Sequence, residues 1–139
     1  MSHHVHKMKA FMLELEDRPG GLARATADLK AHGINLRALW GWVMSEGVAQ
    51  AVILPDEPDK VSGCGCDTCG TALPVTVLWL EDEDATGAFD ANLQTIAQAG
   101  VSLMAVSAAA IDGRYGALIM FKQEADADRV LTALGECCA

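Results

Sequence analysis

Short apolar runs alternate with amphipathic stretches along this chain, and the same alternation occurs twice. A shift of 67 residues aligns the apolar-rich run 9–16 with 76–83, and both runs have the length of a strand. Each run precedes a stretch with the period of a helix. Apolar residues recur on one face at Leu22, Ala25 and Leu29, and again at Phe89, Leu93 and Ile96. The pattern therefore predicts two copies of one strand–helix unit.

Two further strands follow the helix in each copy. The first pair is predicted over 35–44 and 48–54 and the second over 102–111 and 115–121, each joined by a short polar connector that contains glycine. A last helix ends at Gly135, with an apolar face at Ala127, Val130, Leu131 and Leu134. The order β-α-β-β-α, with a short last strand allowed, predicts an α+β fold of two ferredoxin-like βαββαβ repeats with antiparallel sheets. Because one copy of about 65 residues has a thin core, we expect the repeats to form an intramolecular pseudo-dimer.

The second helix of the first copy is interrupted. It is expected near 57–68, where Pro58 favours one turn of helix but three glycines between 63 and 70 prevent a long one. A cysteine-bearing loop takes its place. We predict a disordered tail over 1–7, a first repeat over 8–62, a Cys/Gly-rich loop over 63–73 and a second repeat over 74–139.

Composition narrows the classes of function. The 139 residues carry a net charge of −9, which disfavours nucleic acid and anionic membranes because both select basic patches. No run resembles a signal peptide or reaches the ~20 apolar residues of a transmembrane helix. Five cysteines cannot all pair within the chain, so they are expected to be thiols or metal ligands in the cytoplasm.

The segment between the first strand and first helix is the strongest candidate for a ligand site. Asp17 is a possible N-cap, Pro19 suits a first helical turn, and Gly33 suits the left-handed end of the helix. Helix-start amides can also hold a carboxylate, and glycines at 20 and 21 let a ligand approach the backbone. Residue types alone favour capping over binding, because capping explains them without a ligand.

The pattern D-R-P-G-x-L-A, followed after one helix by G-I-N-L, resembles the first half of an ACT domain. Members of that family are small non-catalytic modules that sense amino acids and regulate metabolic enzymes. The resemblance implies an amino-acid ligand, regulation of a metabolic partner in trans and association into homo-oligomers. It implies ligand contacts from Asp17, Arg18, Pro19, Gly20, Gly21, Leu22, Asn35 and Leu36.

The second copy has lost much of this pattern. Its counterparts of Arg18, Pro19 and Asn35 are alanine, threonine and serine, and four consecutive acids precede its helix. Such a run usually marks a solvated helix entry. We therefore expect one ligand site, in the first copy.

The cysteines offer a competing function. Cys64, Cys66 and Cys69 form a C-x-C-x2-C cluster to which zinc or iron could bind, and Cys137 or Cys138 could add a fourth ligand. A closed zinc site usually has two C-x2-C-like knuckles, and only one is present. A metal site, a redox-sensing site and an inert loop therefore remain alternatives for a module built on an ACT-like scaffold.

Motifs of catalysis are missing from the sequence. It contains no nucleophile elbow, P-loop, H-E-x-x-H or dinucleotide fingerprint. We therefore expect a binding protein and not an enzyme.

Overall fold

The computed structural model describes residues 4–135, which form six strands and five helices. In chain order they are β1 (His4–Glu16), α1 (Gly21–Ala31), β2 (Leu36–Ser45), β3 (Val48–Pro55), α2 (Pro58–Ser62), α3 (Asp67–Gly70), β4 (Leu73–Glu83), α4 (Ala88–Gln98), β5 (Ala105–Ile111), β6 (Arg114–Met120) and α5 (Glu124–Leu134). The ladders within each repeat are antiparallel. The predicted α+β, ferredoxin-like fold class is confirmed.

The chain forms two compact units, a first unit over 9–75 and a second unit over 1–8 and 76–139. Strand β1 thus gives its first residues to the second unit, and β4 gives residues 73–75 to the first. These pieces supply the short last strand that a βαββαβ repeat requires.

The predicted disordered tail over 1–7 is wrong for residues 4–7, which belong to β1. Val5 is only 1% exposed and packs in the core of the second unit with Leu78 and Leu80. Val5 is the only apolar residue among 4–7, so the sequence of this part of the strand has no clear alternating pattern. Residues 1–3 lie outside the described part of the chain.

The first unit places its helices on one face of three strands in the order β2-β3-β1. Phe11 pairs with Ile53 across β1 and β3, and both side chains pack with Leu29 of α1. The next position along β3, Val52, pairs with Trp40 of β2 and so faces the opposite side. Trp40 and Trp42, with ring centroids 5.2 Å apart, therefore lie on the face away from α1.

Helix α1 ends as its sequence predicts. Gly33 has a φ of 70°, and the Ile34 amide donates to the Leu29 carbonyl at 2.9 Å. This bond from Ile34 back to the last turn is the signature of a Schellman motif, which needs a left-handed residue at Gly33. It fixes His32 and Asn35 beside the helix end.

The interrupted second helix is also confirmed. It is reduced to the five residues of α2, followed by a four-residue helical turn, α3, inside the segment predicted as a loop over 63–73. Val61 of α2 and Cys69 of α3 are buried in the core of the first unit. The cysteine segment is therefore packed against the fold and is not a free loop.

The second unit repeats the pattern with strands in the order β4-β6-β5 and helices α4 and α5 over a core of aliphatic side chains. Its hairpin turns through Asp112 and Gly113, both with positive φ, as a type I′ turn requires. Asn92 is its buried polar residue; its amide donates to the Tyr115 hydroxyl at 2.6 Å and to Asp82 at 3.0 Å. Among residues 4–135, no helix is long and apolar enough to cross a bilayer.

Candidate functional site

The loop between β1 and α1 is built from tight backbone turns. The Arg18 amide donates to Glu16, the Gly21 amide donates to Arg18, and the Asp17 amide donates to Gly47 in the β2–β3 connector at 3.2 Å. Gly20, with a φ of 84°, is the N-cap of α1, and no side chain caps the helix. The expected N-cap role of Asp17 is wrong because the turn inserts three residues between Asp17 and the helix.

The structure explains why glycine occurs at positions 20 and 21 of this loop. Gly20 adopts a left-handed conformation that side chains disfavour. A Cβ atom at Gly21 would overlap the carbonyl oxygen of Glu16, so the helix can approach the end of β1 only without a side chain there. The result is a helix start with uncapped amides held close to the strand end.

A cleft of about 300 Å³ opens beside this helix start, within the first unit. The end of β1, one face of α1 and the α3 segment form its walls. Its lining residues are Glu14, Leu15, Glu16, Arg18, Gly21, Arg24, Ala25, Asp28, Asp67, Thr68 and Thr71. Gly21, Arg24, Ala25 and Asp28 recur at helical spacing and therefore share one face of α1.

The cleft carries charges of both signs. Four of its lining residues are carboxylates and two are arginines. Arg18 Nε lies 2.6 Å from Glu16 Oε2, but both side chains are largely exposed, so this pair is weak and can rearrange. Arg24 has no ion-pair partner among residues 4–135. The Thr68 hydroxyl donates to Asp28 Oδ2 at 2.7 Å and joins α3 to α1 at the cleft wall.

Asn35 and Leu36 do not line this cleft. The Asp17 amide bonds to Gly47, just before β3 begins, whereas the Asp56 amide bonds to the Asn35 carbonyl just after β3 ends. The eight residues of β3 span roughly 26 Å, so the two groups lie at opposite ends of the unit. The expectation that Asn35 and Leu36 close the same site as Asp17–Leu22 therefore fails within a single first unit.

Asn35 has a local structural role instead. Its side-chain amide donates to Asp56 Oδ2 at 2.6 Å, and Arg37 Nε lies 3.5 Å from the other oxygen of that carboxylate. Leu36 packs against the core beside them. These contacts join the start of β2 to the end of β3.

Of the predicted ligand residues in the loop, Arg18 and Gly21 line the cleft. Asp17, Pro19, Gly20 and Leu22 adjoin it in the same turn without lining it. Leu22 is 41% exposed. Sequence reasoning missed Arg24 and Asp28, although their spacing from Gly21 puts them on one helical face.

The second unit has a counterpart cleft of about 280 Å³, and its lining differs in charge. Asp84 and Asp90 contribute carboxylates, Phe89 and Tyr115 contribute rings, and no lysine or arginine lines it among the described residues. A ligand carboxylate would meet no cationic side chain there. The single ligand site in the first copy stays a prediction, and the charge contrast between the two clefts favours it.

The three loop cysteines form one cluster. Cys66 is the N-cap of α3, and its sulfur accepts from the Cys69 amide at 3.3 Å. The Cys64 sulfur accepts from the Cys66 amide at 3.4 Å and lies 3.0 Å from the Cys66 sulfur. A ring nitrogen of His32 and these two sulfurs all lie within 4.8 Å of one another. Cys137 and Cys138, considered above as fourth ligands, lie outside the described residues.

The thiols of this cluster differ in acidity. Burial opposes ionisation of Cys64, but hydrogen bonds from the Cys69 and Cys66 side chains and from the Cys66 amide outweigh it and lower the pKa of Cys64. Burial, and then hydrogen bonding of its thiol to Cys64 and Cys66, raise the pKa of Cys69. The cluster therefore contains one thiol prone to ionise and one held protonated.

Comparison with known proteins rests on structure alone. No protein-family model matches the chain, and no curated protein matches it significantly. The solved structure of protein BT0572 from Bacteroides thetaiotaomicron shares its fold with a TM-score of 0.77 at 19% identity, over 92% of this chain and 88% of that one.

Two further solved structures are described as regulatory parts of aspartate kinase. The ligand-free regulatory subunit from Thermus thermophilus gives a TM-score of 0.63 at 13% identity, over 97% of this chain and 98% of that chain. A putative C-terminal regulatory domain from Porphyromonas gingivalis W83 gives 0.51 at 13% identity, over 96% and 94%. The chain has an ACT-like fold. At these identities the similarity extends to the fold and no further.

Proposed function

We propose that the chain is a non-catalytic regulatory module that binds an amino acid in the cleft beside α1. The observation that carries this proposal is the mixed charge of the cleft, in which the Arg24 guanidinium lies among carboxylates and has no ion-pair partner among residues 4–135. An amino acid is a zwitterion and needs both signs within a few ångströms. A pocket whose charged side chains are all carboxylates, like that of the second unit, would repel the carboxylate of the ligand.

Each end of the ligand has a proposed partner. Arg24, assisted by Arg18 and the uncapped amides of α1, binds the ligand carboxylate, since guanidinium groups and helix starts both favour anions. Asp28 and Glu14 face the ligand ammonium. Residues 17–22 and α3, which forms the other wall of the cleft, determine which amino-acid side chain the cleft accepts.

In this proposal, Asn35 and Leu36 contact the ligand only when a second copy of the chain supplies them. Because the length of β3 separates them from the loop 17–22, one small ligand cannot touch both groups of the same unit. A homo-oligomer that brings Asn35 of one copy to the loop of another would satisfy the full set of contacts that the ACT resemblance implies. An N35A variant that loses ligand affinity without losing stability would support this assembly.

The regulated partner is proposed to be a separate metabolic enzyme in the cytoplasm. The Thermus thermophilus neighbour is described as the regulatory subunit of an enzyme, which supports a role in trans for a chain of the same fold. Allosteric control requires that the ligand bind two states of the complex with different affinities.

A thermal-shift screen of the twenty amino acids tests ligand binding. A ligand that binds only the folded state stabilises it by about 2.7 kcal/mol at a concentration 100-fold above its Kd, so at least one amino acid should raise the melting temperature at millimolar concentration. Titration calorimetry then gives the affinity of that amino acid.

Arg24→Gln provides the site-specific test. Arg24 is exposed, so the variant should fold, and loss of the guanidinium should lower affinity about tenfold or more, as a charge-assisted hydrogen bond of ~1.5–3 kcal/mol predicts. Lys30→Gln is the matched control, since Lys30 is an exposed cation on the same helix outside the cleft. The proposal fails if no amino acid shifts the melting temperature, or if both variants bind as the wild type does.

A further inference from the structure

We propose that His32, Cys64, Cys66 and Cys69 form a Cys3His site for zinc in the first unit. The four residues come from two segments, the end of α1 and the α2–α3 region, which the sequence separates by about thirty positions. This site is distinct from the amino-acid cleft, and its existence does not depend on that proposed function.

The donor atoms are already close to the spacing that zinc imposes. In a tetrahedral site with bonds of about 2.3 Å to sulfur and 2.0–2.1 Å to nitrogen, the donors lie roughly 3.5–3.8 Å apart. The His32 ring nitrogen and the sulfurs of Cys64 and Cys66 are within 4.8 Å of one another, and the two sulfurs are 3.0 Å apart. Small side-chain rotations would bring all three into the first coordination sphere.

The backbone around the cysteines is arranged to favour thiolate charge. The amides of Cys66 and Cys69 point at the sulfurs of Cys64 and Cys66 respectively. Such N–H···S bonds stabilise the negative sulfur that a metal requires, because hydrogen bonds to a charged group favour its charged form. The bond from the Cys69 amide also caps α3, whereas the bond from the Cys66 amide to the Cys64 sulfur caps no helix.

A hydrogen bond from the ring of His32 to the backbone orients this side chain as a metal ligand. Its Nδ1 donates to the Asp28 carbonyl at 2.9 Å, which assigns the proton to Nδ1 and leaves Nε2 for the metal. Metal-binding histidines are commonly fixed by a bond of this kind from the other ring nitrogen. The Schellman end at Gly33 holds the residue in place.

Cys69 supplies the fourth ligand from the buried side. It is 7% exposed and lies in the core cluster against which Cys64 and Cys66 pack, although it is outside the 4.8 Å group. Three thiolates and an imidazole suit zinc and exclude magnesium or calcium, which prefer oxygen ligands. The site would attach α3, the remnant of the lost helix, to the end of α1.

Cobalt titration of the full chain tests the site. The metal-free protein, kept in a non-thiol reductant, is titrated with Co²⁺ and then with Zn²⁺. We expect one equivalent of Co²⁺ to give the intense visible absorption of a tetrahedral complex and thiolate-to-cobalt charge transfer, and Zn²⁺ to abolish both. Absence of these bands in the reduced wild-type protein would overturn the proposal.

His32→Asn is the decisive variant because His32 is exposed and its replacement should not unfold the protein. We expect the thiolate charge-transfer band to persist while metal affinity falls roughly tenfold or more. Cys64→Ser and Cys66→Ser should each weaken the charge-transfer band as well as affinity. Circular dichroism of each variant shows whether loss of binding reflects loss of fold.

Two control variants address other metal ligands in the chain. The triple variant with His3, His4 and His6 replaced by asparagine removes the N-terminal histidines, and Cys137→Ser with Cys138→Ser removes the C-terminal thiols. Both should bind Co²⁺ like the wild type. If either control abolishes binding, or if His32→Asn leaves affinity unchanged, the assigned ligand set is wrong.

Discussion

Cys64 and Cys69 lie in one cluster, yet their thiols differ in readiness to ionise. Hydrogen bonds lower the pKa of Cys64 against the opposing effect of burial, while burial raises the pKa of Cys69. Because the thiolate is the nucleophile, iodoacetamide at pH 7 should alkylate Cys64 well before Cys69 in the metal-free native protein. Mass spectrometry of tryptic peptides at increasing reaction times measures the order.

Zinc and denaturant provide the controls for this order. Unfolding in urea should equalise the two rates, since the difference arises from folded-state contacts. Saturating Zn²⁺ should protect both cysteines. Faster labelling of Cys69 in the native protein would contradict the described environment.

The ion pairs of Lys7 lead to a second prediction about a single side chain. Its ammonium lies 2.8 Å from Asp128 and 2.9 Å from Glu124, and these hydrogen bonds, Asp128 first, raise the pKa of Lys7 above its ordinary value of 10.5. A raised lysine pKa means that its stabilisation is complete below the unfolded-state pKa and is lost as pH rises through the folded-state value. Lys7→Met should therefore lower the urea midpoint slightly at pH 7, and the deficit should shrink above pH 10.5.

Lys122→Met is the matched control for Lys7. Lys122 is an exposed lysine of the same unit, with no ion-pair partner among residues 4–135. Its loss should change the urea midpoint little at either pH. A Lys7 deficit that stays constant between pH 7 and pH 11 would show that packing, and not the ion pairs, causes it.

For individual residues, the sequence predicted backbone conformation better than it predicted what each side chain contacts. Gly33 was predicted at the helix end because its conformation follows from local rules. Asp17 was wrongly predicted to cap because a turn through Pro19 and Gly20 intervenes, which residue preferences alone do not reveal. The position of His32 beside Cys64 depends on a contact between distant segments, which the sequence does not reveal.

Helix α1 approaches β1 closely at Gly21, and from this contact we predict how a substitution there affects the whole helix. Gly21→Ala would place a Cβ against the Glu16 carbonyl, so helix or strand must shift, at a cost of about 1–3 kcal/mol typical of overpacking. Urea denaturation should show a lower midpoint. Affinity for any ligand of the cleft should also fall, because the helix start forms its wall.

Gly70→Ala is the comparison for this element. Gly70 ends α3 with open space around its Cα and no positive φ. Alanine there should be neutral or stabilise by up to about 1 kcal/mol, because it reduces the entropy of the unfolded chain. Equal destabilisation by the two substitutions would refute the close contact at Gly21.

Most elements followed from the sequence, because apolar period and glycine-marked turns are local signals. The hairpins, α1, α5 and the shortened helix of the first copy were all predicted near their observed positions. The start of β1 was missed because a strand of five residues rich in histidine carries a weak pattern, and only its burial against Leu78 reveals it. The cleft was predicted only at its loop, since its other wall, α3, is distant in sequence.

The first unit joins the two proposed sites through Asp28. Its backbone carbonyl accepts from His32 beside the cysteines, and its carboxylate, in the cleft wall, accepts from Thr68 of α3. Zinc should therefore order α3 and raise amino-acid affinity several-fold, within the range typical of coupled sites. Calorimetric titration of the amino acid with and without Zn²⁺ measures this coupling, which rests on both proposals.

Thr68→Val should weaken this coupling while Zn²⁺ still binds, because the variant removes the bond between α3 and Asp28. Reciprocity provides an internal check, since the amino acid must raise zinc affinity by the same factor. Equal amino-acid affinity with and without zinc would show that the sites are independent.

The division of β1 between the two units limits where the chain can be truncated or cleaved without damage to either unit. Residues 4–8 belong with 76–139 and residues 9–16 with the rest of the first unit. A fragment that begins at residue 76 would therefore lack Val5 from its core and Lys7 from its contacts with α5. Proteolytic trimming after Met8 would damage the second half of the protein and leave the strand of the first half intact. The second half would have to be prepared with residues 4–8 grafted onto it, whereas the first half, 9–75, is already continuous.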